Sequence, residues 1–172
     1  SSDVCSSDLS SGSTLYSLSP AAGLPMSNSV TSSIFLGISA GFQASGAFNA
    51  IFFGSASGYQ AYSASNSNFI GTQAGVSASN AQRSNFIGLQ TGYQATNASG
   101  SNFIGYYAGF SASNAAYSTL IGYQAGQRIT GFSGIGGNNI IIGTGITLTD
   151  NYANGINIGG LIFGSGSIYN TS

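Results

Sequence analysis

Ser101-Asn102-Phe103-Ile104-Gly105-Tyr106-Tyr107-Ala108-Gly109-Phe110-Ser111-Ala112-Ser113-Asn114-Ala115-Ala116-Tyr117 is one period of a seventeen-residue repeat. With the glycine of Phe-Ile-Gly as column zero, that glycine falls at Gly37, Gly54, Gly71, Gly88, Gly105 and Gly122. A second glycine follows four residues later, at Gly41, Gly58, Gly75, Gly92, Gly109 and Gly126. Alanine recurs seven residues after column zero (Ala44, Ala61, Ala78, Ala95, Ala112) and ten after it (Ala47, Ala64, Ala81, Ala98, Ala115). A fixed short period in register is the mark of a stacked repeat architecture. Seventeen residues are too few for a pair of helices, and glycine with β-branched and aromatic residues disfavours helix. The expectation is therefore all-β: a parallel β-solenoid, or β-roll, of 17-residue coils stacked about 4.8 Å apart.

Each coil is expected to carry two short strands. The first is Asn-Phe-Ile before column zero; the second is Ala108-Gly109-Phe110-Ser111-Ala112 and its equivalents, with glycines at corners and a Ser/Asn-rich turn closing the coil. Successive strand residues point to opposite faces, so Phe69, Phe86 and Phe103 must face away from Ile70, Ile87 and Ile104. Both faces are apolar, yet only one can fill the coil. The surplus apolar column points to an oligomer that covers it.

The composition fits this geometry. Charged residues are 3% of the chain, against roughly 25% in an ordinary globular protein. In-register stacking would set identical charges against each other across strands, whereas Asn, Gln and Ser can form hydrogen-bonded ladders. The same composition excludes functions. The chain of 172 residues has no His, Lys, Glu or Trp. That leaves no Ser-His-Asp or Cys-His pair, no clustered metal ligands and no basic surface for phosphates. We therefore expect no catalytic residues, no metal, no cofactor and no nucleic-acid partner. Apolar runs such as Ile140-Ile141-Ile142 are too short to cross a bilayer, so this segment is expected to make no membrane contact.

Residues 1–9 stand apart. Ser-Ser-Asp occurs twice around Val4-Cys5, as in a translated sequencing adapter, and is read as an artefact. Excluding it removes Cys5, Asp3 and Asp8 and leaves Asp150 against Arg83 and Arg128. Residues 10–30, with Pro20 and Pro25, read as a lead-in or cap. Residues 31–126 are the six-coil array. Residues 127–172 read as degenerate coils and an exit, because the next Ile-Gly comes at Gly143, off the period. Continuation of the natural chain at both ends is expected.

The core pattern Asn-Phe-Ile-Gly-x-x-Ala-Gly-Tyr-x-Ala runs through Asn68–Ala78 (with Val76 in the aromatic column), Asn85–Ala95 and Asn102–Ala112. It resembles the head repeats of trimeric autotransporter adhesins and related repeats of phage-type tail fibres. The resemblance implies a left-handed coil, three chains side by side, and display on a fibre that binds a surface. A host-surface protein or glycan would be the partner, outside the cell or on a virion. The repeat is longer than in those heads.

Other motifs carry less. Gly-x-x-x-Gly here lacks an apolar helix, and Gly134-Ile135-Gly136-Gly137 and Gly143-Thr144-Gly145 lack the lysine of a phosphate loop. The Asn97-Ala98-Ser99 and Asn170-Thr171-Ser172 triplets are expected by chance in so Asn- and Ser-rich a chain. Arg83 and Arg128 read as solvated turn residues. Tyr62, Tyr93, Tyr106 and Tyr107 either stack on sugars or pack between coils. No binding residue is assigned from sequence. The expected function is a structural and adhesive, non-enzymatic fibre segment. The alternative is a monomeric solenoid that self-associates as an amyloid-like matrix or meets ice, although Thr72, Thr91 and Thr96 share no column.

Overall fold

The computed structural model describes residues 15–17, 32–127, 134–149, 151–160 and 162–165. The artefact at 1–9, nearly all of the lead-in at 10–30, and Cys5, Asp150, Arg128 and Asn170 lie outside them. The chain forms a parallel β-solenoid of about seven coils. Its strands are β1 (Leu15–Ser17), β2 (Ser33–Leu36), β3 (Ile51–Phe53), β4 (Asn68–Ile70), β5 (Asn85–Ile87), β6 (Asn102–Ile104), β7 (Thr119–Ile121), β8 (Ile140–Ile142), β9 (Gly155–Ile158) and β10 (Ile162–Ser165). They make one sheet in sequence order. Every neighbouring pair from β1 to β9 is parallel and in register, whereas β10 turns back antiparallel on β9.

Alternation sends the middle residue of each three-residue strand inward. Phe35, Phe52, Phe69, Phe86 and Phe103 are fully buried, followed by Leu120 and Ile141. Their rings stack 4.7–4.8 Å apart, within 6° of parallel. The ring distance is the strand spacing itself, so one repeat sets both the backbone ladder and the aromatic column. Each ring lies over the second glycine of its own coil. A Cβ on Gly75 would overlap the Phe69 ring, and Gly75 also has a left-handed backbone at φ +65°. Only glycine meets both demands.

The first strand lies where the sequence places it; the second does not form. Ala108–Ala112 and its equivalents are successive tight turns, closed by bonds from the Ala108, Phe110 and Ala112 N–H groups to the Gly105, Tyr107 and Gly109 carbonyls. What remains of a second strand is a single bridged residue per coil: Ser45, Tyr62, Ser79, Thr96 and Ser113. The reason is an alternation of backbone handedness. Tyr107, Gly109 and Ser111 all have positive φ, at 59°, 63° and 53°. Left-handed residues at every second position fold the chain tightly instead of extending it. This brings Ala108, Gly109 and Ala112 to the interior and leaves Phe110 half-buried.

A buried serine ladder ties the coils together at the corner before each strand. The Ser67 hydroxyl donates to the Ala81 carbonyl (2.6 Å) and accepts the Ser84 N–H (3.1 Å). Ser84 and Ser101 repeat this one coil on. Ala50 breaks the ladder. It donates its N–H to the Ser33 hydroxyl but has no hydroxyl to offer the next coil.

Candidate functional site

With the Phe column inside, the flanking strand residues form the outer sheet face. The position after each inward residue is apolar in every strand from β2 to β9: Leu36, Phe53, Ile70, Ile87, Ile104, Ile121, Ile142 and Ile158. Phe53 is 49% exposed. The position before it is Ile34 and Ile51 at one end, Ile140 and Ile156 at the other, and Asn68, Asn85, Asn102 and Thr119 between them. The asparagines form a ladder in which Asn68 Nδ2 donates to Asn85 Oδ1 and Asn85 Nδ2 to Asn102 Oδ1, both at 2.8 Å. A continuous, regular apolar face of this kind marks an interaction surface.

A second surface lies just past column zero. Tyr106 and Tyr123 occupy the same column in adjacent coils, with ring centroids 5.4 Å apart, and Tyr107 packs 4.1 Å from Tyr106. Phe110 meets Tyr107 edge-on. Tyr106 is 41% and Tyr123 42% exposed. The Tyr107 hydroxyl, hydrogen-bonded to that of Tyr106, raises the Tyr106 pKa above its ordinary value; desolvation and the neighbouring phenols of Tyr107 and Tyr123 push the same way.

The sequence candidates are thus separated. Tyr106 and Tyr107 come together. Tyr93 stacks on Phe110 between coils at 5.0 Å, and Tyr62 stands exposed on the bridged column. Arg83 is exposed on a left-handed turn residue. Asn97 belongs to an exposed ladder, accepting from Asn80 and donating to Asn114. Gly134–Gly137 and Gly143–Gly145 sit against coil backbone or on turns. Sequence reasoning expected ladders of Asn, Gln and Ser without naming their columns and did not single out Tyr123; aligning the columns of the repeat exposes all of these.

Among the described residues no three His, Cys, Asp or Glu side chains cluster as metal ligands, and no helix is long and apolar enough to cross a membrane. Every buried side-chain nitrogen and oxygen there has a hydrogen-bond partner. Comparison with family models, with curated proteins and with solved structures finds no match to this chain.

Proposed function

We propose that the chain is a structural and adhesive, non-enzymatic segment of an extracellular fibre, at a cell surface or on a virion. In this reading three copies of a left-handed solenoid lie side by side and cover the outer sheet face. The observation that supports it is the unbroken apolar column from Leu36 to Ile158, open on a chain whose interior is already filled by the Phe column. Burying apolar area is the main favourable term in association. In-register ladders of uncharged amides suit a rigid spacer, and many identical coils suit avidity from weak contacts. End-to-end stacking is less well supported. The antiparallel turn of β10 onto β9 presents the wrong strand direction for another parallel coil.

The test is the mass of the full chain by size-exclusion chromatography with light scattering. The expected result is three times the 17.2 kDa monomer. Ile87→Asp with Ile104→Asp is expected to release monomers whose circular dichroism still reports β structure. A wild-type monomer that keeps its fold overturns the trimer.

A further inference from the structure

Two left-handed columns of the array vary from coil to coil: one carries Asn49, Asn66, Arg83, Gly100 and Tyr117, and the other lies just past the strand glycine. In the column after the strand glycine, the earlier coils carry Ile38, Ser55, Thr72 and Leu89; the last two carry Tyr106 and Tyr123. In the next column the coils carry Ser39, Ala56, Gln73, Gln90, Tyr107 and Gln124. That column is left-handed in every coil, from Ser39 at φ 56° to Gln124 at φ 57°. Small residues and amides are the usual occupants of such backbone, and a bulky aromatic side chain there is an outlier. In this column Tyr107, at φ 59°, is that outlier; the exposed Tyr117, at φ 57°, is a second, in a column that elsewhere carries Asn, Arg and Gly. Backbone strain of this kind is retained where something depends on it.

Tyr107 also interrupts an amide ladder. Gln90 donates to Gln73 in the coil before it, and Gln124 stands in the coil after, with Tyr107 between them. Gln90 Oε1 and the Gln124 amide therefore flank the three tyrosine rings with free hydrogen-bonding capacity, one acceptor on one side and donor and acceptor on the other. The rings are held by one another and by Phe110, so ordering them costs little on binding. No charge lies in these columns. Arg83, the one charged side chain among the described residues, stands in another column. Exposed aromatic faces flanked by amides on a rigid, uncharged support fit a ligand with apolar ring faces and a rim of hydroxyls.

We propose that the Tyr106–Tyr107–Tyr123 corner binds a linear neutral glycan, with successive sugar rings lying on Tyr106 and Tyr123 along the solenoid axis and their hydroxyls bonded to Gln90 and Gln124. The proposal rests on the adhesive part of the function above and not on the trimer. The test uses the full chain, whose lack of tryptophan leaves tyrosine as its emitter. Titration with cellohexaose and with chitohexaose, followed by tyrosine fluorescence, is expected to give a saturable change with at least one of them. An anionic hexagalacturonate is expected to bind at least tenfold more weakly. Tyr123→Ala and Tyr107→Gln are each expected to weaken binding at least tenfold. Tyr107→Gln rejoins the amide ladder on a backbone that glutamine adopts in neighbouring coils, so it should lose binding while keeping or raising the melting temperature. Absence of binding by both neutral sugars, equal binding of the anionic one, or wild-type affinity in Tyr107→Gln overturns the proposal. Light scattering on the same samples reads the trimer separately: a trimer that ignores sugar sinks this inference alone, and a monomer that binds sugar sinks only the trimer.

Discussion

The array from β2 to β7 and the exit from β8 to β10 hold the same sheet together by different means. In the array the inward positions repeat with few exceptions: Phe over Phe up to Phe103, Ser to the next coil except at Ala50, and Ala on the remaining inner corners except at Ser57 and Thr91. From Leu120 at the end of the array the inward column runs on through Ile141 and Asn157 in the exit, and the serine position becomes Asn139. Asn139 is fully buried. It donates to the Ile135 and Tyr152 carbonyls, its Oδ1 accepts the Gly155 N–H, and its own N–H reaches Ser118. With the Thr119 N–H donating to its carbonyl, one asparagine there bonds five neighbours at once. The register survives an interval of twenty-one residues between Leu120 and Ile141 because the added length lies outside the strands. A repeat is stabilised by the sum of equal neighbour terms, whereas the exit depends on single residues.

The difference can be broken first at its strongest term. Phe69→Ala removes a ring stacked on both sides and opens a cavity that neighbouring coils fill poorly. We expect a loss of about 3–5 kcal/mol by chemical denaturation at fixed protein concentration. In the exit, Asn139→Ala leaves the Gly155 N–H and two carbonyls buried without partners. The expected cost is about 2–3 kcal/mol, with amide exchange rising at β8 and β9 while β4–β6 stay protected. The array can also be made more regular. Ala50→Ser supplies the missing rung to the Ala64 carbonyl and the Ser67 N–H, and is expected to stabilise by about 1 kcal/mol, read as a higher denaturation midpoint. Equal or lower stability in Ala50→Ser would mean that the serine corner contributes nothing.

The smallest effect lies at the tyrosine corner. Because hydrogen bonding and desolvation raise the Tyr106 pKa, its folded form holds its proton more tightly than the unfolded chain does. The resulting stabilisation is present below the ordinary tyrosine pKa and is lost as pH rises through the raised one. Tyr107→Phe removes the first cause and should move the Tyr106 titration, followed by ultraviolet absorbance, toward lower pH.

The period was open to reading because stacking forces identical residues into columns, so Gly37 to Gly122 and the Phe-Ile alternation set the coil length, the first strand and the opposition of its two faces, while the burial of the Phe column came from the structure. The second strand was misread for a definite reason. Ala108, Phe110 and Ala112 alternate in sequence as a strand would, but alternating backbone handedness turns the chain inward without any change in that pattern. The outer apolar face was legible as a surplus column. The tyrosine corner was only half legible: Tyr106 and Tyr107 were visible as aromatic residues and Tyr123 falls in the Tyr106 column, but the strain at Tyr107 and the ring contacts depend on backbone angles and coil stacking.

The hydrogen bonds between coils, such as Gly71 N–H to Phe53 carbonyl at 2.7 Å, run along the solenoid axis while the chain itself circles around it. Tension along that axis therefore loads the coils in series, like links pulled end to end, and the weakest link yields first. Each coil that lets go trades a rise of about 4.8 Å for the contour of its chain, and seventeen extended residues reach about 55–60 Å. The molecule is stiff while wound and roughly twelvefold longer per coil once unwound, so it would yield to a pull by paying out length before any covalent bond is strained.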